Sequence, residues 1–255
     1  LLLSEGRNEQ GQALLKRVLE LAPDQHEVRR WLERLNGQSD RFWEGRAMTV
    51  EQIRKHDVQP ASFPQCASVL LLDEQVQVVY PDGGSQLYVH QIRKILTQDG
   101  VDEFGRAQPN GEICCARTIK VNGTILEPVT FRGNQVEFPG VEVGAWLEIA
   151  YLQREESNPW RGVNPGRFYF ADQTLVEPFV ISRFVLVTPK DMAPWVRYHN
   201  WPSAGPELIQ SEVQEGDLIL RTWDVRRPTY LEREPFMRSG LELIPWLEIS
   251  RRRDW

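Results

Sequence analysis

Residues 67–106 read ASVLLLDEQVQVVYPDGGSQLYVHQIRKILTQDGVDEFGR. Leu70, Leu72, Val76, Val78 and Tyr80 share one face of a strand, because side chains alternate along extended backbone. Pro81-Asp82-Gly83-Gly84 then reverses the chain. Proline presets the first turn residue, and glycine takes the positive φ that a tight reversal needs. On the return strand, 86–97, Leu87, Val89, Ile92, Ile95 and Leu96 divide between the two faces. That division predicts a bulge, or a cover on both sides. The stretch is read as the opening hairpin of an antiparallel β region.

Downstream the pattern continues. Ile113, Cys115, Ile119 and Val121 alternate, and Asn122-Gly123 is the strongest short hairpin signal in the chain. Further strands are read at 125–129, 135–139, 145–156, 167–172, 179–189, 195–200, 207–213 and 217–225, with Gly216-Asp217 joining the last two. Turn signals recur roughly every 8–12 residues, as in a β-sandwich. The fold class read here is mainly β: an antiparallel β-sandwich of about ten strands with a small N-terminal α-helical hairpin.

Upstream, residues 5–22 carry Ala13, Leu14, Val18, Leu21 and Ala22 at helical spacing, and Pro23 ends that helix. A second helix, 25–35, places Val28, Trp31, Leu32 and Leu35 on one side, with Asn36-Gly37 as its stop. Residues 38–65 are a connector in which Phe42 and Trp43 serve as anchors. Within it 49–57 is read as a short helix started by Thr49. The organisation is therefore 1–37 helical, 38–65 connector, 66–250 β, and 251–255 the start of a linker. The chain opens in mid-helix and stops at RRRDW, so it is read as a piece of a longer polypeptide.

Composition excludes some functions. With 255 residues, a net charge of -6 and a pI of about 5.4, the chain is not a general nucleic-acid binder. No apolar run of about 18 residues could form a membrane-spanning helix. Cys66, Cys114 and Cys115 are too few for a disulfide framework and are read as small buried hydrophobes. A bond from Cys66 to one of the adjacent pair stays open.

Two ordered sets of residues carry resemblances. Gly6, Gly11, Leu15, Val18 and Pro23 fall where the tetratricopeptide repeat places its small, large and proline positions, so 1–37 resembles the end of such an array. Gly11 and Val18 replace the usual alanines. In the β region, PDGG is followed by His90 to Leu96 as H-x-x-x-K-I-L, then by GVDEFG (100–105) and ARTIKVNGTILEP (116–128). FPGVEVGAWLEIAY (138–151), RFYFAD (167–172) and VTP (187–189) complete the series. This order resembles the uncharacterised β domain found N-terminal to bacterial transglutaminase-like domains. The resemblance implies a missing downstream domain and a bacterial cell envelope or periplasm; cytoplasm stays open.

No catalytic residue is assigned. Cys115, His199 and Asp224 follow the transglutaminase chain order, but a family nucleophile sits at a helix start, and Cys115 is on a strand. The four histidines, His26, His56, His90 and His199, are isolated, so no metal or cofactor is expected. His90 is read as a half-buried, hydrogen-bonded strand residue, and Glu142 and Glu148 as a solvated face. Aromatic residues interleave with arginine in 158–170, NPWRGVNPGRFYF, and again around Trp195, Arg197, Tyr198 and Trp201. Trp, Tyr and Arg dominate binding hot spots, so Trp160, Arg161, Arg167 and Tyr169 are the expected binding residues. The expected function is a non-catalytic scaffold and interaction module, its partner a protein or the downstream domain of the same polypeptide. The alternatives are an accessory part of a transglutaminase-like site completed elsewhere, or a carbohydrate- or peptide-binding sandwich.

Overall fold

A computed structural model describes residues 8–37, 39, 41–128, 131–154, 166–174, 176–201, 207–227, 234 and 236–250. Three helices come first: α1 (Asn8–Leu21), α2 (His26–Leu35) and α3 (Val50–Arg54). Then follow β1 (Ser68–Val79), β2 (Ser85–Ile95), α4 (Gln98–Phe104), β3 (Arg106–Ala107), β4 (Glu112–Ile119) and β5 (Ile125–Leu126). Next are β6 (Phe131–Arg132), β7 (Gln135–Glu137), β8 (Trp146–Arg154), β9 (Gly166–Tyr169), β10 (Ile181–Pro189) and β11 (Trp195–His199). The last are β12 (Leu208–Glu215), β13 (Leu218–Arg226), α5 (Gly240–Leu243) and β14 (Trp246–Ser250).

The chain is mainly β, with open sheets. Eight strands form one sheet in the order β12-β13-β10-β1-β2-β8-β4-β5; β11-β14-β9 and β3-β7-β6 form two three-stranded sheets. The expectation of a purely antiparallel arrangement is corrected: β1 pairs with β10 in parallel. A period of two tells which face a residue takes, not which strand lies alongside or in which direction it runs.

β1 is buried along almost its whole length, and the two faces of the large sheet are covered differently. One face carries Leu72, Val76 and Val78 of β1. Val50, Ile53 and Val58 pack there with Leu72, Ile92, Ile119 and Trp146, while Phe42, Trp43 and Ala47 pack against Val76, Val78, Tyr88 and Val185. Trp43 stacks on Tyr88 at 4.7 Å between centroids. Thr49 starts α3 with a full capping box to Gln52. On the other face, Phe168, Leu247 and Ile249 cover Phe184, Leu186, Trp223 and Val225. Val136 and Phe138 cover Ile95, Ala116, Leu147 and Ile149 beside them. The bulge falls in β1, where the register slips between Leu70 and Leu72.

The helical hairpin docks on the first β-turn. Arg29 donates to both carboxylate oxygens of Asp82, at 2.9 and 2.8 Å, and its guanidinium lies 3.8 Å from the Tyr80 ring centroid. Gly84 passes so close that a Cβ there would meet Pro23 O at 2.5 Å. Of the helix residues at apolar spacing, Leu14, Val18, Leu21, Trp31 and Leu35 are exposed, whereas Leu19 and Gly11 are buried.

A chain of buried charges crosses the sheet under the connector. Arg183 of β10 donates to Glu74 of β1. Glu74 faces His90 of β2, whose Nδ1 lies 3.5 Å from the carboxylate, and His90 Nε2 lies 3.1 Å from Glu148 of β8. Arg117 of β4 donates to the second Glu148 oxygen at 2.5 Å. Glu74 also accepts the Met48 backbone N–H at 2.9 Å, and Arg183 donates to Arg46 O at 2.9 Å. Glu148 and His90 are therefore buried members of an ionic row, not a solvated face and a half-buried strand residue. Burial alone would depress the His90 imidazolium; Glu148 and Glu74 overcome it and raise its pKa to about 9. His90 and Arg117 hold the Glu148 carboxyl below its ordinary value, against the opposing effect of burial.

Two outcomes are expected. Glu148→Ala leaves the buried His90 without its Nε2 partner and the half-buried Arg117 without its carboxylate, so urea unfolding should show a loss of about 3 kcal/mol. His90 is charged in the folded chain well above its ordinary 6.5, so its stabilisation is complete below that pH and fades as pH rises through about 9. Thermal melts should fall across pH 7–9.5 in the native chain and flatten in His90→Gln; a flat native profile would refute the charged row.

Candidate functional site

The three-stranded sheet β11-β14-β9 buries one side and presents the other. Leu247, Ile249 and Phe168 point into the core, so their neighbours along each strand point out. The register aligns Arg167, Glu248 and Arg197 in one outward row, and Tyr169, Trp246 and His199 in the next. The His199 ring stacks on Trp246 at 3.8 Å and 5°. From the opposite strand, Tyr169 lies 5.6 Å away and the Arg167 guanidinium 4.8 Å from the ring centroid. His199 Nε2 reaches Glu248 at 3.3 Å. The flanking strands thus occupy both sides of the Trp246 ring and leave neither open for a sugar ring to stack on. What remains outward is a pre-ordered patch of ring edges and guanidinium groups, extended by Arg197, whose Cζ lies 6.0 Å from the Trp195 ring.

β9 is the outer strand of that small sheet, and a cleft of about 430 Å³ opens between it and the large sheet. Asp73 and Gln75 of β1 and Gln91 of β2 line it, with Arg167, Phe168 and Tyr169 of β9, residues 171–174 and Phe179. The two aspartates in the cleft differ sharply. Asp172 accepts from the backbone N–H groups of Thr174, Val176 and Glu177 and from the Thr174 hydroxyl, at 2.7–3.0 Å. These bonds outweigh partial burial and keep its carboxyl below the ordinary value. Asp73 is buried and accepts from Gln91 Nε2 at 2.9 Å. Burial pushes its pKa up to about 6; the Gln91 bond works against this, and the Glu177 charge adds to it.

Of the expected binding residues, Arg167 and Tyr169 are brought together beside Trp246 and on the cleft wall. Trp160 and Arg161 lie outside the described residues. Trp246, His199, Asp73 and Gln91 were missed. The signal for Asp73 was the polar run Asp73-Glu74-Gln75 inside an otherwise apolar strand. Cys115, His199 and Asp224 do not meet. Asp224, Arg183, Glu74, His90, Ala150 and Cys115 align in one row across six strands, which separates Asp224 from Cys115 by about 24 Å at 4.8 Å per strand. His199 sits in a different sheet. Burial also raises the Cys115 thiol to about 11. No disulfide joins the three cysteines, and Cys114 is exposed rather than buried.

No protein-family model matches the chain, and no curated protein matches it. Among solved structures it is similar to a protein of Parabacteroides distasonis described as a "putative protease", with a TM-score of 0.57 and 14% identity. The match covers 73% of this chain and 41% of that one, so the chain spans less than half of that protein's length. At this identity the likeness is one of fold.

The Asp73 carboxyl favours its neutral form in the fold, so its ionisation costs stability as pH climbs from about 4 through 6. Asp73→Asn keeps an acceptor for Gln91. It should raise the unfolding free energy by about 1–3 kcal/mol at pH 7.5 and by almost nothing at pH 4. A loss of stability at pH 7.5 would contradict this reading.

Proposed function

We propose that this chain is a non-catalytic scaffold and interaction module of a larger bacterial protein, and that it precedes and supports a protease- or transglutaminase-like domain. The observation that carries the reading is the outward face of β11-β14-β9. Trp195, Arg197, Trp246, Arg167 and Tyr169 stand there on hydrogen-bonded strands, with ring and guanidinium contacts already made. Such a face loses little side-chain entropy on docking, and these residue types dominate hot spots. β14, the last described strand, lies in the middle of that face. The fold likeness to 41% of a longer protein agrees with a module inside a larger whole. The exposed Leu14, Leu21 and Trp31 supply a second apolar surface at the other end of the chain, where further tetratricopeptide helices would stack.

Arg197 is exposed, so Arg197→Glu tests docking without touching the core. Calorimetric titration of residues 1–255 with the segment encoded after them should show a loss of about 2 kcal/mol or more for the variant, with an unchanged melting temperature. Equal affinities for native and variant chains would reject the docking face. Turnover of peptide substrates by residues 1–255 alone would reject the non-catalytic role.

A further inference from the structure

The cleft behind β9 has a chemistry that docking through the outer face does not use. Asp73 Oδ1 accepts from Gln91, and no hydrogen bond reaches Oδ2 among the described residues. The cations around it are engaged elsewhere. Arg93 is held by Glu177 at 2.7 and 2.9 Å, and Arg167 lies over Trp246. Arg183 is bound to Glu74 on the opposite face of the sheet. A buried carboxylate thus borders a cavity of side-chain size with no counter-ion of its own, which is unfavourable unless something supplies one.

We propose that this cleft binds the ammonium group of a lysine side chain carried by an extended peptide, with Asp73 as its anion. A guanidinium prefers two carboxylate oxygens in a fork, and Gln91 already takes one of them. A hard divalent cation needs several oxygen ligands, and the Asp172 oxygens are consumed by Thr174, Val176 and Glu177. An ammonium needs only one strong acceptor plus neutral ones, and the side-chain amides of Gln75 and Gln91 stand beside Asp73. Tyr169 and Phe179 offer apolar walls for the methylene stem. The groups facing Asp73 are Gln91 and Arg93 of β2, Tyr151 of β8, Arg167 and Tyr169 of β9, Asp172 and Glu177 of the following segment, and Ser182 of β10. Asp172 keeps its charge well below neutral pH, so the change between pH 5 and 7.5 belongs to Asp73.

The probe is the tripeptide Ac-Gly-Lys-Gly-NH2, titrated into 15N-labelled protein, with the norleucine and arginine analogues beside it. The Gln91 side-chain amide and the backbone amides of 168–174 are the readout. At pH 7.5 the lysine peptide should shift these signals saturably, the norleucine peptide should not, and the arginine peptide should bind more weakly. At pH 5 the lysine affinity should fall about tenfold, following the ionised fraction of a carboxyl that titrates near 6. Asp73→Asn should abolish the shifts, and Arg197→Glu should leave them intact, which separates this site from the docking face. No saturable shift at millimolar peptide overturns the proposal. So does equal binding of lysine and norleucine, or an affinity unchanged at pH 5. The pH series in the native chain decides the matter even if Asp73→Asn does not fold.

Discussion

The fold depends on how β1 carries a full carboxylate through the middle of an eight-stranded sheet. Glu74 has no exposed surface, and a carboxylate so placed is tolerated only when neighbours supply hydrogen bonds and opposite charge. Three separate parts of the chain do so: Arg183 from β10, His90 from β2 and the backbone of Met48 from the connector. Each of these contacts demands a particular arrangement. Arg183 requires the parallel β1–β10 pairing, His90 the β1–β2 register, and Met48 a connector lying flat across the sheet. Apolar packing alone would tolerate a slip of two residues along a strand. The buried row does not, because a slip would separate a charge from its partner. Its role is to select one register, and its cost in desolvation is offset by the ion pairs it makes.

This explains which parts of the fold were legible. The turns were, because each depends on local chemistry: Gly83, Gly123 and Gly216 take positive φ where the chain reverses. The strands were, because Leu72, Val76 and Val78 announce a buried face. Strand order was not, since β1 and β10 lie about a hundred residues apart and no local pattern links Glu74 to Arg183. The same blindness affected Glu148. An acidic residue alternating with apolar ones reads as solvated unless its cross-strand partners, His90 and Arg117, are known. Helix α4 was missed because Gly100 weakens the helical pattern. The glycine is there for contact, as a Cβ would run into the Ala67 carbonyl oxygen.

The candidate site was legible in part for a related reason. Arg167 and Tyr169 stood out by residue type, and type is what marks a binding surface in a sequence. Their partners Trp246 and His199 come from strands far along the chain, so the contacts that fix Arg167 in place could not be read. Those contacts change the meaning of the aromatic content. Scattered tryptophans suggest isolated rings, whereas Trp246 is held between His199 and Arg167 and forms one face with them.

Asp73 and Glu74 are adjacent, and the pleat sends them to opposite faces of the same strand. Both are buried acids, yet their surroundings are opposite. Glu74 meets a cation, a histidine and a backbone donor, all supplied by the chain itself. Asp73 meets one amide and a cavity. A packing requirement accounts for the first, because removing Glu74 would release the connector and leave Arg183 unpaired. It does not account for the second: an apolar residue or an asparagine would fill the Asp73 position without the desolvation cost. Stability therefore gives no reason for an acid at this position, whereas a carboxylate oxygen facing the cleft gives a functional one.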